Sequence, residues 1–207
     1  MEILKLGQKN SAKIVWKVIK YIKQGKVIVL PTDTVYGLVA DATNKKAVER
    51  ILKIKNRSKE KAIPIFVKDI KMVGKLAKIN KNQEKFLNSV WPGKVTAVLK
   101  LKIKNEKLKI CGIDRKTIAL RIPKYKLILR LLKRTNILLT GTSANISNRP
   151  ASTKIKEVIE QFGNQKEQPD LIIDAGNLPK SRPSTVIDLT EFPPKVLRYW
   201  QKITFLL

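Results

Sequence analysis

Short apolar runs separated by segments of helical period set the tightest limit on how this chain can fold. Val27 to Leu30 is an apolar run stopped by Pro31, the pattern of a buried strand. Before it, Ile14, Val15, Val18, Ile19 and Ile22 mark one face of a helix, with Asn10 and Ser11 as capping candidates. Ala47, Val48, Ile51, Leu52 and Ile54 mark a second helix, capped by Thr43 or Asn44. Ile63 to Val67 is strand-like despite Pro64, which suggests an edge strand or a strand beginning there. Further helices are expected around Ile70–Ala77, Gln83–Val90, Lys126–Leu132 and Lys154–Phe162. Further strands are expected at Lys94–Leu101, Thr117–Ile122, Ile137–Thr140, Leu171–Asp174, Thr185–Leu189 and Lys195–Arg198. Trp91-Pro92-Gly93 breaks the chain, and 102–115 and 177–183 read as long loops.

Several late strands follow one another without a helix between them. The expectation is therefore an α/β fold of α+β-like character, not a strictly alternating Rossmann fold or barrel. It is a single domain over residues 1–207, its core at about 8–200, with a twisted, mixed, open β-sheet flanked by helices. No uninterrupted apolar stretch marks a signal peptide or a spanning helix, so a cytoplasmic protein without membrane association is expected.

Two counts exclude whole classes of chemistry. The chain has no histidine and one cysteine, Cys111. A Cys/His zinc site, a His-ligated haem, a Ser-His-Asp or Cys-His engine and an intramolecular disulfide are all ruled out. Lys and Arg number 44 against 16 Asp and Glu, a formal charge of +28. That excess fits a nucleic-acid binder, and it also fits a Lys-rich surface produced by codon bias. The Arg residues, nine in all, say more, because a guanidinium fork holds carboxylates and phosphates bidentately.

Four segments carry candidate chemistry. Leu30 to Leu38 leaves a buried strand through Thr32, Asp33, Thr34, Tyr36 and Gly37, a usual place for a ligand, or else a set of capping hydroxyls. Lys55, Arg57, Lys59 and Lys61 would line up as one cationic row if the chain is extended there. The alternative is a helix end whose cations complement the macrodipole. Leu139 to Ser147 runs from a strand into small hydrogen-bonding residues suited to a phosphate or a base edge, or to a turn. Arg121 lies inside an apolar strand, where it needs a carboxylate or a bound anion. Neither a G-x-x-x-x-G-K-[ST] loop nor a G-x-G-x-x-G turn after a strand occurs.

In this order, PTDTVYGL (31–38), KNRSKEK (55–61), WPGKVTAVL (91–99), TIALRIP (117–123), TSANIS (142–147), STVIDL (184–189) and VLR (196–198) resemble the YrdC-type family of threonylcarbamoyl-AMP synthases. The resemblance is to the catalytic domain alone, since longer relatives carry an extra C-terminal domain that this chain is too short to hold. It implies a reaction in which L-threonine, bicarbonate or CO2 and ATP give threonylcarbamoyl-AMP and pyrophosphate. The product serves modification of the tRNA adenosine beside the anticodon. It further implies Lys55 and Arg57 as catalytic residues, and Arg57, Lys61, Thr117, Ser143, Asn145 and Arg198 as ATP ligands. Thr34, Tyr36, Arg121, Gly141 and Ser184 would bind threonine. ATP is a substrate, and Mg2+ would be held mainly by its phosphates, with no metal ligand from the protein. tRNA contact and a downstream threonylcarbamoyl-transferase machinery are the macromolecular partners the resemblance leaves open.

This chain departs from the family at several points. Asn56 and Ser58 flank Arg57 where many relatives have Gly and Pro, and Lys61 stands where Asn is frequent. Phe66 replaces a His that often helps to bind threonine, and Tyr199-Trp200 replaces a Pro-Gly-like pair. Two other readings stay open. One is a non-catalytic basic protein of the same fold that binds tRNA or double-stranded RNA. The other is a carbamoyl-adenylate domain of hydrogenase maturation, against which the chain length argues.

Overall fold

A computed structural model describes residues 1–58, 62–102, 108 and 116–199. Among these, strands and helices divide between two sheets that meet at the functional site. The first sheet contains β1 (Glu2–Lys5), β2 (Ile28–Leu30), β3 (Gly37–Val39), β9 (Thr142–Ser143) and β10 (Leu171–Asp174), in the order β1-β10-β2-β3-β9. The second contains β4 (Ile65–Phe66), β5 (Ala77–Lys78), β6 (Val95–Leu101), β7 (Thr117–Arg121), β8 (Leu139–Thr140), β11 (Thr185–Asp188) and β12 (Lys195–Arg198). Its order is β12-β11-β6-β7-β4-β8, with β5 paired to β6 off that path. Both sheets mix parallel and antiparallel pairs. The mixed, open α/β character expected from the chain is borne out, but it is shared between two sheets.

Six helices are described: α1 (Ser11–Lys23), α2 (Lys45–Lys55), α3 (Ile70–Leu76), α4 (Lys81–Val90), α5 (Lys126–Thr135) and α6 (Ile155–Gly163). The first sheet is covered on both faces. Ile28 and Leu30 of β2 pack with Ile14, Val18 and Ile22 of α1 and with Ile128, Leu131 and Leu132 of α5. Val27 and Val29 face the opposite way, into a larger core with α2, α4 and α6. This alternation of successive side chains explains why β2 reads as a continuous apolar run. Each such fully buried aliphatic side chain stabilises the fold by about 1.5–3 kcal/mol.

Local chemistry sets the boundaries. Asn44 caps α2 by accepting from Ala47 N at 3.1 Å, and Asn80 with Gln83 forms a reciprocal capping box on α4. Asn10 occupies the cap position of α1, but its side chain bonds Gly7 N and Lys5 O instead of the helix. β4 is no edge strand: it pairs with β7 and with β8, and Pro64 sits one residue before it, where no ladder bond is lost. The 177–183 segment is an irregular connection between β10 and β11. Most of 102–115, Cys111 included, lies outside the described residues, as does Trp200.

Candidate active site

The two sheets join where the chain passes from β8 through Gly141 into β9. Thr140 ties the junction: its hydroxyl accepts from Ala40 N at 2.9 Å, and its own N–H donates to Ala40 O. Gly141 donates to Pro64 O at 2.7 Å, and a Cβ added at Gly141 would lie 2.5 Å from the Phe66 ring. Only glycine lets the chain cross there while that ring stays in place.

Beside this crossing lies a cavity of about 270 Å³, near the lower end of the roughly 300–1,000 Å³ typical of ligand pockets. One wall is the bare face of the second sheet, with Thr96 and Val98 of β6, Ala119 and Arg121 of β7, and Val186 and Leu197 of β11 and β12. The facing wall supplies Thr34, Val35, Arg57, Gly141, Thr142 and Ser143, and the β10–β11 connection adds Pro183 and Ser184.

Arg121 is the most constrained of these residues. Its side chain and that of Asp33 are 5% and 8% exposed, and Nη2 donates to Asp33 Oδ1 at 2.6 Å. Nε donates to Gly93 O at 2.9 Å, and Nη1 donates to Thr34 Oγ1 at 3.3 Å. The buried charge thus has its carboxylate within the chain, and Asp33 is the partner that reading the sequence missed. The visible signal was an acid inside a hydroxyl-rich strand exit. A guanidinium has five N–H donors, so two of those on Arg121 have no partner among the described residues and are available to the cavity. The Phe66 ring lies 5.8 Å from the Arg121 guanidinium carbon and supports the group from below.

The strand-exit loop is locked by its own hydroxyls. Thr32 Oγ1 donates to Val35 O at 2.7 Å and accepts from Thr34 N at 2.9 Å, which turns the Thr34 side chain to the cavity. On the opposite wall, Ser184 Oγ lies 2.8 Å from Thr96 Oγ1. Arg198 bonds Ser184 twice, Nε to its carbonyl at 3.0 Å and Nη2 to its hydroxyl at 3.3 Å. Three guanidiniums, Arg57, Arg121 and Arg198, therefore converge on one space. Burial, then Arg121 and Arg57, pull the Arg198 pKa down. A concentration of positive charge of this kind receives anions.

Lys55 and Arg57 do not form a row. Lys55 is the last residue of α2, and Asn56 turns the chain in the left-handed region at φ 48. Lys55 points inward at 1% exposure, with Nζ donating to Ser143 O at 2.5 Å, Asn145 O at 2.8 Å and Asn145 Oδ1 at 3.1 Å. Arg57 is turned to the cavity, with Nη2 donating to Ala62 O at 3.0 Å. Burial, and then Arg57, lower the Lys55 pKa to about 7. Asn145 is occupied as well. It accepts from Ser143 Oγ at 2.6 Å, and its amide donates to Ile146 O and Arg149 O.

Of the residues singled out from the sequence, the cavity gathers Thr34, Arg57, Arg121, Gly141, Ser143, Ser184 and Arg198. Lys55 and Asn145 lie one layer behind it and hold the Ser143 turn. Tyr36 is fully buried, with its hydroxyl donating to Gly176 O at 2.6 Å, and is not among the lining residues. Thr117 is on the same strand face as Ala119 and Arg121 but stands beyond the lining. Lys59 and Lys61 lie outside the described residues. The positions that sequence reading did not single out include Thr96 and the apolar residues Val98, Ala119, Val186 and Leu197. They carry no signal beyond ordinary strand composition.

A mixed α/β domain with cations and hydroxyls converging where its two sheets meet is the class this geometry defines. Comparison with known proteins narrows it. The chain belongs to the Sua5/YciO/YrdC family, described as "Telomere recombination", whose family model matches residues 20–199. It is 36% identical over 179 residues to a threonylcarbamoyl-AMP synthase of Pyrococcus abyssi, covering 86% of this chain and 51% of that protein. It is 31% identical to a putative threonylcarbamoyl-AMP synthase of Methanocaldococcus jannaschii, covering 92% of this chain and 87% of that one. Among solved structures, P. abyssi Sua5 complexed with L-threonine superposes with a TM-score of 0.84 at 34% identity, over 96% of this chain and 57% of that chain. The chain thus spans about half the length of the P. abyssi relative.

Proposed function

We propose that this protein is a threonylcarbamoyl-AMP synthase, and that the cavity between the sheets holds L-threonine beside the phosphates of ATP. The observation that carries the reading is the convergence of Arg57, Arg121 and Arg198 with the hydroxyls of Thr34, Ser143 and Ser184 on one small space. The kinship with proteins named for this activity supports it.

The chemistry suits a chain without histidine. The threonine amine adds to CO2 with loss of a proton, or to bicarbonate with loss of water, to give a carbamate. A carbamate oxygen then attacks the α-phosphorus of ATP, the new P–O bond forms, and the bond to the β-phosphate oxygen breaks to release pyrophosphate. Positioning of two anions and neutralisation of the triphosphate are what the protein must supply. The two free N–H groups of Arg121 take the threonine carboxylate, with Thr34 and Ser184 alongside. Arg57 and Arg198 take phosphate oxygens, with Ser143 on the nucleotide. Lys55 and Asn145 act through the Ser143 turn instead of on a phosphate.

Mg2+ fits this site poorly as a protein-held ion. The acid at the cavity, Asp33, is engaged by Arg121 and by Lys124 N, and the described residues include no cluster of three or more metal-ligating side chains. Any ion accompanying ATP would be held by phosphates and water. No helix among the described residues is long and apolar enough to cross a membrane, and the reading sets the protein in the cytoplasm, with a transferase acting on tRNA downstream.

Mass spectrometry of a reaction containing ATP, carbon-labelled bicarbonate and L-threonine tests the reading. An adenylate carrying both the label and threonine is expected. Pyrophosphate formation without that adenylate would contradict it.

A further inference from the structure

Four strands of the second sheet lie side by side along the cavity, in the order β12-β11-β6-β7. Each presents a lining residue: Arg198 on β12, Val186 on β11, Thr96 on β6 and Arg121 on β7. The register sets Thr96 opposite Val186 and Val186 opposite Arg198, so these three form one row across the sheet. Neighbouring strands are about 4.8 Å apart, which places Thr96 about 10 Å from Arg198 and one strand away from Arg121.

Thr96 is buried and polar. It is 1% exposed, and its Oγ1 lies 2.8 Å from Oγ of Ser184, itself 5% exposed. Ser184 Oγ also accepts from Arg198 Nη2 at 3.3 Å. The two hydroxyls carry two protons and share one bond, so whichever donates to the other, one proton is left over. Among the described residues that proton has no acceptor. A buried donor left without an acceptor is rare in folded proteins and needs a partner from outside the chain. The pair is not required to join its strands, because the β6–β11 ladder already runs from Val95 and Thr185 to Val98 and Asp188.

The charge behind the pair selects the kind of partner. Arg198 donates to Ser184, which strengthens the remaining proton as a donor and suits it to an anionic oxygen, not to an ammonium. The other lining residues of β6 and β11, Val98 and Val186, are apolar and offer no competing group. The position selects further. Arg121 takes the amino-acid carboxylate on one side, and Arg198 takes phosphate on the other. The carbamoyl group must form between them, because it joins the threonine nitrogen to the α-phosphorus.

We propose that the Thr96–Ser184 hydroxyl pair holds the carbamoyl oxygen, which makes Thr96 a further catalytic residue; this rests on the synthase reading. The pair donates to the carbamate oxygen that remains the carbonyl. The other carbamate oxygen forms the bond to the α-phosphorus as the bond to pyrophosphate breaks. No proton is transferred by the pair. A fixed donor in an apolar wall stabilises the anion and favours the carbamate over free amine and CO2.

The test is steady-state pyrophosphate release by the full chain, with bicarbonate varied at saturating L-threonine and ATP. Thr96→Val and Thr96→Ala both remove the hydroxyl, one keeping the bulk and the other reducing it, whereas Thr96→Ser retains it. Both hydroxyl-free variants are expected to lower kcat/KM for bicarbonate by about 10–100-fold, the usual effect of losing a hydrogen bond to a charged group. L-Threonine and ATP affinities, titrated calorimetrically in CO2-free buffer, should stay within about twofold of wild type, a result that a collapsed pocket would not give. Thr96→Ser should return to within about threefold of wild type. Equal losses for all three substrates, an unchanged bicarbonate dependence, or a Thr96→Ser variant as impaired as Thr96→Val would overturn the proposal. A wild-type chain that releases no pyrophosphate in response to L-threonine and bicarbonate would overturn the synthase reading, and this proposal with it, so the two failures give different results.

Discussion

Asp33 and Arg121 form a buried ion pair at 2.6 Å across 88 residues of sequence, at the edge of the cavity that both sheets line. The pair answers the charge of Arg121 inside an apolar strand while leaving two of its N–H groups toward the ligand. Asp33 also holds Lys124 N, so one carboxylate fixes both the guanidinium and the entrance to α5.

Removing one partner of this pair leaves the other buried without compensation, a loss of about 3–5 kcal/mol. Asp33→Ala and Arg121→Ala are each expected to lower unfolding free energy by that order in urea denaturation. The double variant should lose less than the sum. Strict additivity would show that the two groups do not depend on each other.

Gly141 and Phe66 make a second linked pair. Gly141→Ala places a methyl 2.5 Å from the ring, and overpacking of that kind costs about 1–3 kcal/mol. Gly141→Ala should reduce both stability and threonine-dependent turnover, and Phe66→Leu in the same chain should recover part of each. Equal defects in the single and double variants would mean that the ring is not the obstacle.

The pH dependence of stability should report Lys55. Its pKa in the fold is about 7, below the ordinary 10.5, so between these values the unfolded chain binds more protons than the folded one. The penalty of burying the ammonium is fully present below pH 7 and fades as pH rises toward 10.5. Wild type should therefore gain stability relative to Lys55→Met between pH 6.5 and 9, measured by chemical denaturation. A difference that stays flat or moves the other way would contradict the assignment.

The helices were legible because their burial follows a 3.6-residue period, as with Ile14 to Ile22 on α1. The long strands β6 and β7 were legible for the matching reason. β3 was not, because Gly37-Leu38-Val39 continues a motif that looks like a ligand loop, and two-residue strands such as β9 have no period to display. At the site, the buried Arg121 and its need for an anion could be read directly. Its partner could not, since nothing local links residues 33 and 121. The direction of Lys55 was also hidden: it keeps the helical phase of α2 and points inward, whereas Arg57, beyond the left-handed Asn56, is turned to the cavity.

The most direct measurement is pyrophosphate release from ATP by the full chain, with and without L-threonine and bicarbonate. Release is expected to require both, and Arg57→Ala is expected to lower it by about 10²–10³-fold, the usual effect of removing one charge-stabilising donor. Release that proceeds equally without L-threonine, or at the wild-type rate in Arg57→Ala, would contradict the account.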